Sequence, residues 1–474
     1  MKPSQLFSFL LAMVSALFSN FSSASTPFNT SEIRERIESM DLIVEPRYNT
    51  DVERYIRTYL GRSKRSAAIV IGRTATYFPI FEKYLEEHNL PKDLKYLAIV
   101  ESALNPNARS PVGAGGLWQF MRQTGRLYGL TINRTVDERS CPHSSTEAAM
   151  KYLARLYERF GSWELALAAY NAGAGTILRA QRRAGADDYW AISRYLPRET
   201  RRFVPAFIGA AYIVNFYKEH DVQPEWPHLD MQLIEAFKVY HPLKFTTIAA
   251  VTGLPLEVVK ALNPHFRRGS VPGSEKGHFV ILPKRVIPAL KEYLETQQLD
   301  GEKPAEEVEL PPLVDTAEYN ASEFYFKADY TVVKGDKLQD LARTFGCSVY
   351  SLQLWNDLHG SKLRPGQNLI AWFPVEERHF GEEKIIVKKV KLPKRLDPAR
   401  RMVAIPQVLA YPEMKTVAQI SAPEQTPFTL ELWSMLVMGQ GQKNYDEYRA
   451  HMESPKWKRS IEGKINRLVK RVSK

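Results

Sequence analysis

From residue 28 to 220 the apolar positions recur at helical spacing, and no stretch alternates convincingly as a strand. Segments such as SEIRERIESM, YFPIFEKYLEEHNL, TEAAMKYLARLYERFG, SWELALAAYNAG and RETRRFVPAFIGAAYIVNFY read as helices divided by Gly and Pro turns. The pattern predicts an N-terminal helical region over 25–90 and a compact all-α domain over 91–220. One position breaks its stripe. Leu94, Leu97, Ala98 and Glu101 fall at i, i+3, i+4 and i+7 of a helix that Pro91 opens and Asn105-Pro106 closes. A glutamate therefore occupies the apolar face, in the last turn.

Beyond residue 230 the pattern changes and repeats itself. FTTIAAVTGLPLEVVKALNP (245–264) aligns with LQDLARTFGCSVYSLQLWND (338–357). Counted from Ile248 and Leu341, Gly253 and Gly346 stand at +5, Asn263 and Asn356 at +15, and Pro272-Gly273 and Pro365-Gly366 at +24. Each copy then closes on a short apolar strand, HFVILP or NLIAWFP. Fixed offsets of Gly, Asn and Pro-Gly are not a by-product of helical period, so these are two copies of a small α+β unit of βααβ order. They span 237–285 and 328–375, with an acidic, Pro-bearing linker over 299–327. Residues 376–474 form a tail with no clear pattern, and its last 20 residues hold eight Lys or Arg against one Glu. There Trp457, Ile461, Ile465, Leu468 and Val472 recur at helical spacing, as in a basic amphipathic segment.

Composition refines this picture only in part. With 474 residues, 44% of them hydrophobic, several separate cores are affordable. The net charge of +12 favours an anionic partner without choosing one. The N-terminus chooses a compartment: Lys2, the apolar run LFSFLLAMVSALF and then SSAS form a secretory signal pattern over 1–24. An exported protein is expected, and nucleic acid is excluded as a partner. No cysteine follows the apolar run to accept a lipid, because the chain has only Cys141 and Cys347. The ten histidines show no paired ligand spacing, so no metal and no cofactor is expected.

A carboxyl group on an apolar helix face is disfavoured as an ion, which raises its pKa and suits it to donate a proton near neutral pH. Cleavage of a glycosidic bond needs such an acid beside the leaving oxygen. Alone, Glu101 is better read as a structural residue paired with an arginine. Its surroundings change that. SPVGAGGLWQF brings Ser110, Gln119, the flexible Gly113, Gly115 and Gly116, and Trp118 as an expected exposed stacking plane. AAYNAGAG ends a helix with Tyr170 and Asn171 before a glycine turn.

ES (101–102), SPVGAGGLWQFM (110–121), AYNAG (169–173) and LPRETRRFVP (196–205), in this order, resemble the motifs of the lytic murein transglycosylases with a goose-type lysozyme-like (SLT) catalytic domain. YTVVKGDKLQDLA (330–342) resembles the opening of a LysM module, and the copy over 237–285 is a degenerate one. The order of parts is similar to that of the membrane-bound type D members. The resemblance implies a multidomain protein, an all-α lysozyme-like domain followed by LysM modules, acting on peptidoglycan glycan strands. Glu101 is implied as the catalytic acid and base. Ser110, Gln119, Met121, Tyr170, Asn171 and Glu199 are implied as cleft residues. Gly335, Asp336, Leu338, Asn356, Pro365 and Gly366 are implied as the LysM glycan site. In this family a single Glu protonates the bond between N-acetylmuramic acid and N-acetylglucosamine, and the muramic C6 hydroxyl then closes a 1,6-anhydro ring. Glu199, among Arg198, Arg201 and Arg202, suits an ionised structural role better than that of a second catalytic carboxylate.

Two rivals remain open: a muramidase that cleaves the same bond with water, and a catalytically silent wall-binding protein. The copies are expected to supply affinity only, so that a chain ending near residue 230 still cleaves soluble glycan. The basic tail is a candidate for weak attachment to an anionic membrane or wall surface.

Overall fold

A computed structural model describes residues 29–61, 64–299, 311–317, 319–375 and 402–405. The signal-like run, residues 300–310 of the acidic linker and most of the basic tail, including the amphipathic segment, lie outside them. The helical half begins with α1 (Thr30–Glu38), α2 (Thr50–Leu60) and α3 (Arg65–Glu87). Asn29 and Asn49 cap the first two, each side chain accepting from two backbone N–H groups of the first turn. α3 is apolar nearly all round, and Val70, Ile71, Phe78, Phe81 and Leu85 are buried along it. It is therefore the central helix of this half.

Around it stand α4 (Leu97–Ser102), α5 (Arg122–Leu127), α6 (Pro142–Phe160), α7 (Trp163–Ala172), α8 (Ala174–Ala184), α9 (Tyr189–Ile192), α10 (Arg198–Arg201) and α11 (Phe203–Phe216). The expected long helix from Pro91 is divided: Lys92–Tyr96 form a 3₁₀ turn, and only six residues of α4 follow. Ala103 (φ 51°) and Leu104 (φ 58°) then take left-handed backbone, ending the helix ahead of Asn105-Pro106. Two such non-glycine residues in a row cost on the order of 1–3 kcal/mol each, so the surrounding packing must hold them.

A short α12 (Leu229–Gln232) leads into the first copy: β1 (Ile234–Val239), β2 (Leu243–Lys244), α13 (Phe245–Thr252), α14 (Leu256–Leu262), β3 (Ser270–Val271) and β4 (His278–Pro283). β1 pairs antiparallel with β4, from Ile234–Pro283 to Val239–His278. The copy does not stop at 285. α15 (Ile287–Leu299) folds Ile287, Ala289 and Leu290 back into its core. The second copy has β5 (Tyr325–Thr331), α16 (Leu338–Phe345), α17 (Val349–Trp355) and β6 (Asn368–Pro374), with β5 and β6 antiparallel. A piece of the tail read as patternless, β7 (Met402–Ile405), pairs with the other edge of β5.

The repeated Gly and Asn do the same work twice. Gly253 (φ 64°) and Gly346 (φ 68°) end the first helix of each copy in left-handed backbone. Asn263 donates to Ile281 O (2.8 Å) and accepts from Ile281 N (2.8 Å), tying the second helix to the closing strand. Asn356 makes the same pair with Ile370 O (2.8 Å) and Ile370 N.

The copies are not separable beads. Val136 of the helical half lies in the core of the first copy, and Leu229 and Leu233 lie in the core of the second. Tyr350 of α17 sits on α3, donating to Thr74 Oγ1 (2.8 Å), with its ring 5.3 Å from Phe78. The buried Asp230 accepts from Arg285 of the first copy at 2.9 Å through two N–H groups, and from Tyr325 of the second at 2.7 Å. A chain ending near residue 230 would strip these faces bare, so the copies are packed against the helical half and not loosely tethered to it. The physical reason is that apolar and charged partners on both sides of the cut are buried only in the whole.

Where the first copy meets the helical half, two histidines are buried. Burial first, and then nearby Lys83 and His265, push His143 down to about 3; burial is also what takes His265 to about 4. Both are neutral when folded, so an unfolded chain binds more protons below about pH 6.5. Their stabilising contribution is complete above that pH and is lost as pH falls toward 4. The melting temperature should therefore drop between pH 6.5 and 4. The slope should be shallower in His265→Gln, whose amide can still donate to Phe279 O as the ring does now (2.8 Å). Equal slopes in the two proteins would assign the acid lability elsewhere.

Candidate active site

Every cleft residue implied by the sequence lines one cavity. It encloses about 200 Å³, and Glu101, Ser110, Gln119, Met121, Tyr170, Asn171 and Glu199 all face it. They come from α4, the glycine-rich loop 109–121, the end of α7 and α10, so four separate motifs converge on one place.

Glu101 enters from the last turn of α4. The helix is held there by Ser102, whose hydroxyl donates to Ala98 O (3.0 Å) and to Leu117 O of the glycine loop (2.8 Å). Burial pushes the Glu101 carboxyl well above the usual carboxylate range, and the charge of Glu199 across the cavity pushes it further. A group so placed favours its protonated form and can give up a proton. Tyr170 stands beside it, its ring 5.1 Å from Tyr152 and 6.2 Å from Phe120. Its hydroxyl donates to Trp118 O (2.7 Å), and burial followed by the Glu101 charge keeps it firmly protonated.

Glu199 is exposed at the rim. The arginines beside it in sequence are not what hold it. Asn171 Nδ2 donates to its carboxylate at 3.4 Å, Thr200 Oγ1 donates to Asn171 Oδ1 at 2.9 Å, and Arg202 turns to Asp51 (3.1 Å) instead. Helical geometry explains the difference, since neighbours in sequence point to different sides of a turn.

The glycine loop is folded on itself by Ser110 N to Ala114 O (3.0 Å), Gly115 N to Phe120 O (3.1 Å) and Gly116 N to Ala108 O (3.0 Å). Ser110 Oγ accepts from Ala114 N (3.0 Å). Gln119, itself at φ 46°, donates to Gly116 O (2.9 Å). This folding overturns the exposed stacking role expected of Trp118. Its ring is wholly buried, 4.8 Å from Phe81, and its indole N–H donates to Thr146 Oγ1 (2.9 Å). The glycines also serve packing rather than ligand approach at one position. A Cβ on Gly116, which has φ +85°, would lie 1.6 Å from Arg139 O.

Several lining residues escaped the sequence reading: Tyr55 on α2, Thr124 on α5, Tyr152 on α6 and Phe203 on α11. Each sits at an ordinary helical position, and only the packing of distant helices turns it toward the cavity. The six implied LysM residues divide. Leu338 is buried in the core, Asn356 clamps β6, and Asp336 accepts from Tyr330 Oη (2.7 Å) and Val333 N (2.8 Å). These three hold the module together, because a unit this small has no spare core to do so. Gly335, Pro365 and Gly366 remain exposed, in two loops joined by Gly366 N to Val332 O (2.8 Å).

Gly116→Ala should destabilise the protein by about 3 kcal/mol or more, since both its conformation and the backbone of Arg139 exclude a side chain. Gly113→Ala meets open space, and its cost should be confined to its positive φ. Denaturant midpoints of the two variants check this; similar losses would show that the close approach at Gly116 is unimportant.

Comparison with known proteins matches this geometry to a family. Residues 78–193 match the model of the transglycosylase SLT domain, 234–299 that of the lytic transglycosylase MltD LysM-like domain, and 330–372 that of the LysM domain. Membrane-bound lytic murein transglycosylase D of Escherichia coli (strain K12) is 32% identical over 314 residues, 65% of this chain and 66% of that protein. Membrane-bound lytic murein transglycosylase F of Vibrio cholerae serotype O1 is 35% identical over 131 residues, 25% of this chain and 23% of that one. The solved 70 kDa soluble lytic transglycosylase of Escherichia coli aligns with 30% of this chain and 24% of its own, at 28% identity and a TM-score of 0.26. With an SLT domain carrying the cleft and two LysM-type units packed behind it, the chain belongs to the lytic murein transglycosylases.

Proposed function

We propose that the chain cleaves the β-1,4 bond between N-acetylmuramic acid and N-acetylglucosamine in peptidoglycan and leaves 1,6-anhydro-muramic ends, in turnover of the cell wall. The observation that carries this is Glu101: one carboxyl group whose pKa is pushed well up by desolvation in a cavity whose other carboxylate, Glu199, stands exposed at the rim. A neutral Glu101 donates its proton to the leaving glycosidic oxygen. The resulting carboxylate then takes the proton of the muramic C6 hydroxyl as that oxygen closes on C1, so no water and no nucleophilic residue are consumed. Ser110, Gln119, Met121, Tyr170 and Asn171 line the glycan path around it.

Hydrolysis of the same bond is the competing outcome, with Glu199 activating water. Digestion of isolated sacculi separates the two, because transglycosylation gives anhydro ends and hydrolysis gives reducing ends. Glu101→Gln has the same shape and cannot donate, so it should lose at least 100-fold in release while keeping its melting temperature. Anhydro-muropeptides released at near the wild-type rate by this variant would remove Glu101 as the acid. A wild-type protein that binds sacculi and releases nothing would be a silent wall-binder.

The LysM-type units support binding to peptidoglycan, and family membership supports a place in the cell envelope. Within it, we place the protein in the periplasm, exported by its signal-like run. It would be held to the wall by the second copy and by the basic end of the tail. Each cation of WKRSIEGKINRLVKRVSK near an anionic surface adds about 1 kcal/mol, and the attraction fades near 1 M salt, where the Debye length is about 3 Å. Deleting residues 455–474 should shift the protein from the envelope to the soluble fraction at low salt and change nothing at high salt. Identical fractionation of both versions at both salts would discard the tail as an anchor.

A further inference from the structure

The first copy is joined to the cleft through one buried carboxylate. Asp137, in the loop before α6, is 1% exposed. Arg139, equally buried, meets it with two N–H groups at 2.9 Å each, and Arg109 adds a third at 3.2 Å. The remaining contact is Arg267, which reaches across from the first copy. Backbone bonds lock the same seam: Asp137 N donates to His265 O (2.9 Å) and Arg267 N to Thr135 O (2.9 Å).

The far side of Arg139 faces the cleft. Its Nη1 donates to Gly113 O (2.7 Å) and Phe120 O (3.1 Å), the two arms of the loop that carries Ser110, Gln119 and Met121. Gly115 and Gly116 lie directly against Arg139. A chain of charge-assisted bonds therefore runs from Arg267 to Asp137, to Arg139, to both arms of the cleft loop.

The internal repeat shows what this arrangement has replaced. Arg267 is four residues past Asn263, and the matching position past Asn356 in the second copy is Gly360, which is exposed and has nothing within 4 Å of an added Cβ. The position that is open in the second copy, at Gly360, is docked into the catalytic half in the first, at Arg267. We propose that the first LysM-like copy is a brace for the catalytic cleft and not a glycan-binding module, with Arg267 as a positioning residue acting through Asp137 and Arg139 on the loop that holds Ser110, Gln119 and Met121. This rests on the transglycosylase reading only for its effect on turnover.

The test uses the full chain with Arg267→Ala and Arg267→Lys. Amide hydrogen exchange should quicken at Gly115 and Gly116 in Arg267→Ala, while Ile281, clamped by Asn263 inside the copy, stays as slow as in wild type. Turnover of sonicated sacculi should fall ten- to hundredfold in kcat, with KM and sacculus pull-down unchanged, since small displacements of cleft groups act on the reacting geometry. Arg267→Lys, which keeps the charge, should recover part of both effects. Should Arg267→Ala fail to fold, the lysine variant reads the same amides. Wild-type exchange at Gly115 and Gly116 would overturn the brace, and so would loss of pull-down with kcat intact. If wild type releases no anhydro products, the transglycosylase reading fails, and the exchange result still decides the brace.

Discussion

The structure depends on keeping Asp137 charged where almost no water reaches it. Burial alone would push its pKa up; hydrogen bonds and charge from Arg139, with Arg109 and Arg267, reverse this and take it down to about 2. A buried carboxylate is tolerated only when its partners replace water, and removing one partner of such a set commonly costs 3–5 kcal/mol. Asp137 repays this by bringing three arginines from two units of the fold to one point. The long guanidinium arms then reach carbonyls that no shorter donor could serve.

The opposite treatment of a carboxyl group occurs across the loop. Glu101 is half-buried and faces the charge of Glu199 instead of a cation, so the low-dielectric surroundings that Asp137 overcomes push its pKa well up and favour the protonated form. Two acidic residues on either side of one loop are thus shifted in opposite directions, because arginines are aimed at one and not at the other. That contrast needs a fixed loop. A loop free to move would let water in and erase the difference.

Much of this was legible before the structure. Helical period gave the all-α half, and fixed offsets gave the repeat, because Gly253 and Gly346, and Asn263 and Asn356, answer local backbone needs that sequence spacing records. The motifs that the family resemblance singles out line one cavity, and each is a local signature in the sequence. What spacing could not show was direction. Trp118 looked exposed in a glycine-rich loop and is buried, since the loop curls on bonds between residues several apart. Tyr55 and Tyr152 look like core tyrosines and face the cavity, and Arg267 looks like any surface arginine of a small module. Contacts across more than a hundred residues leave no local trace.

The seat of Tyr350 on α3 has a consequence for how a wall strand is met. A module on a loose tether samples every heading within its reach, and a strand it grips can swing past the cleft in any orientation. Here α17 is bolted to the central helix through Thr74 and Phe78, and to the 3₁₀ turn before α4 through Lys95, whose ammonium lies 5.4 Å from the Tyr350 ring. The exposed loops around Gly335 and Gly366 consequently keep one bearing relative to Glu101. On the proposed reading, grip and cut are then related like the fence and blade of a saw, with the span between them set by the fold.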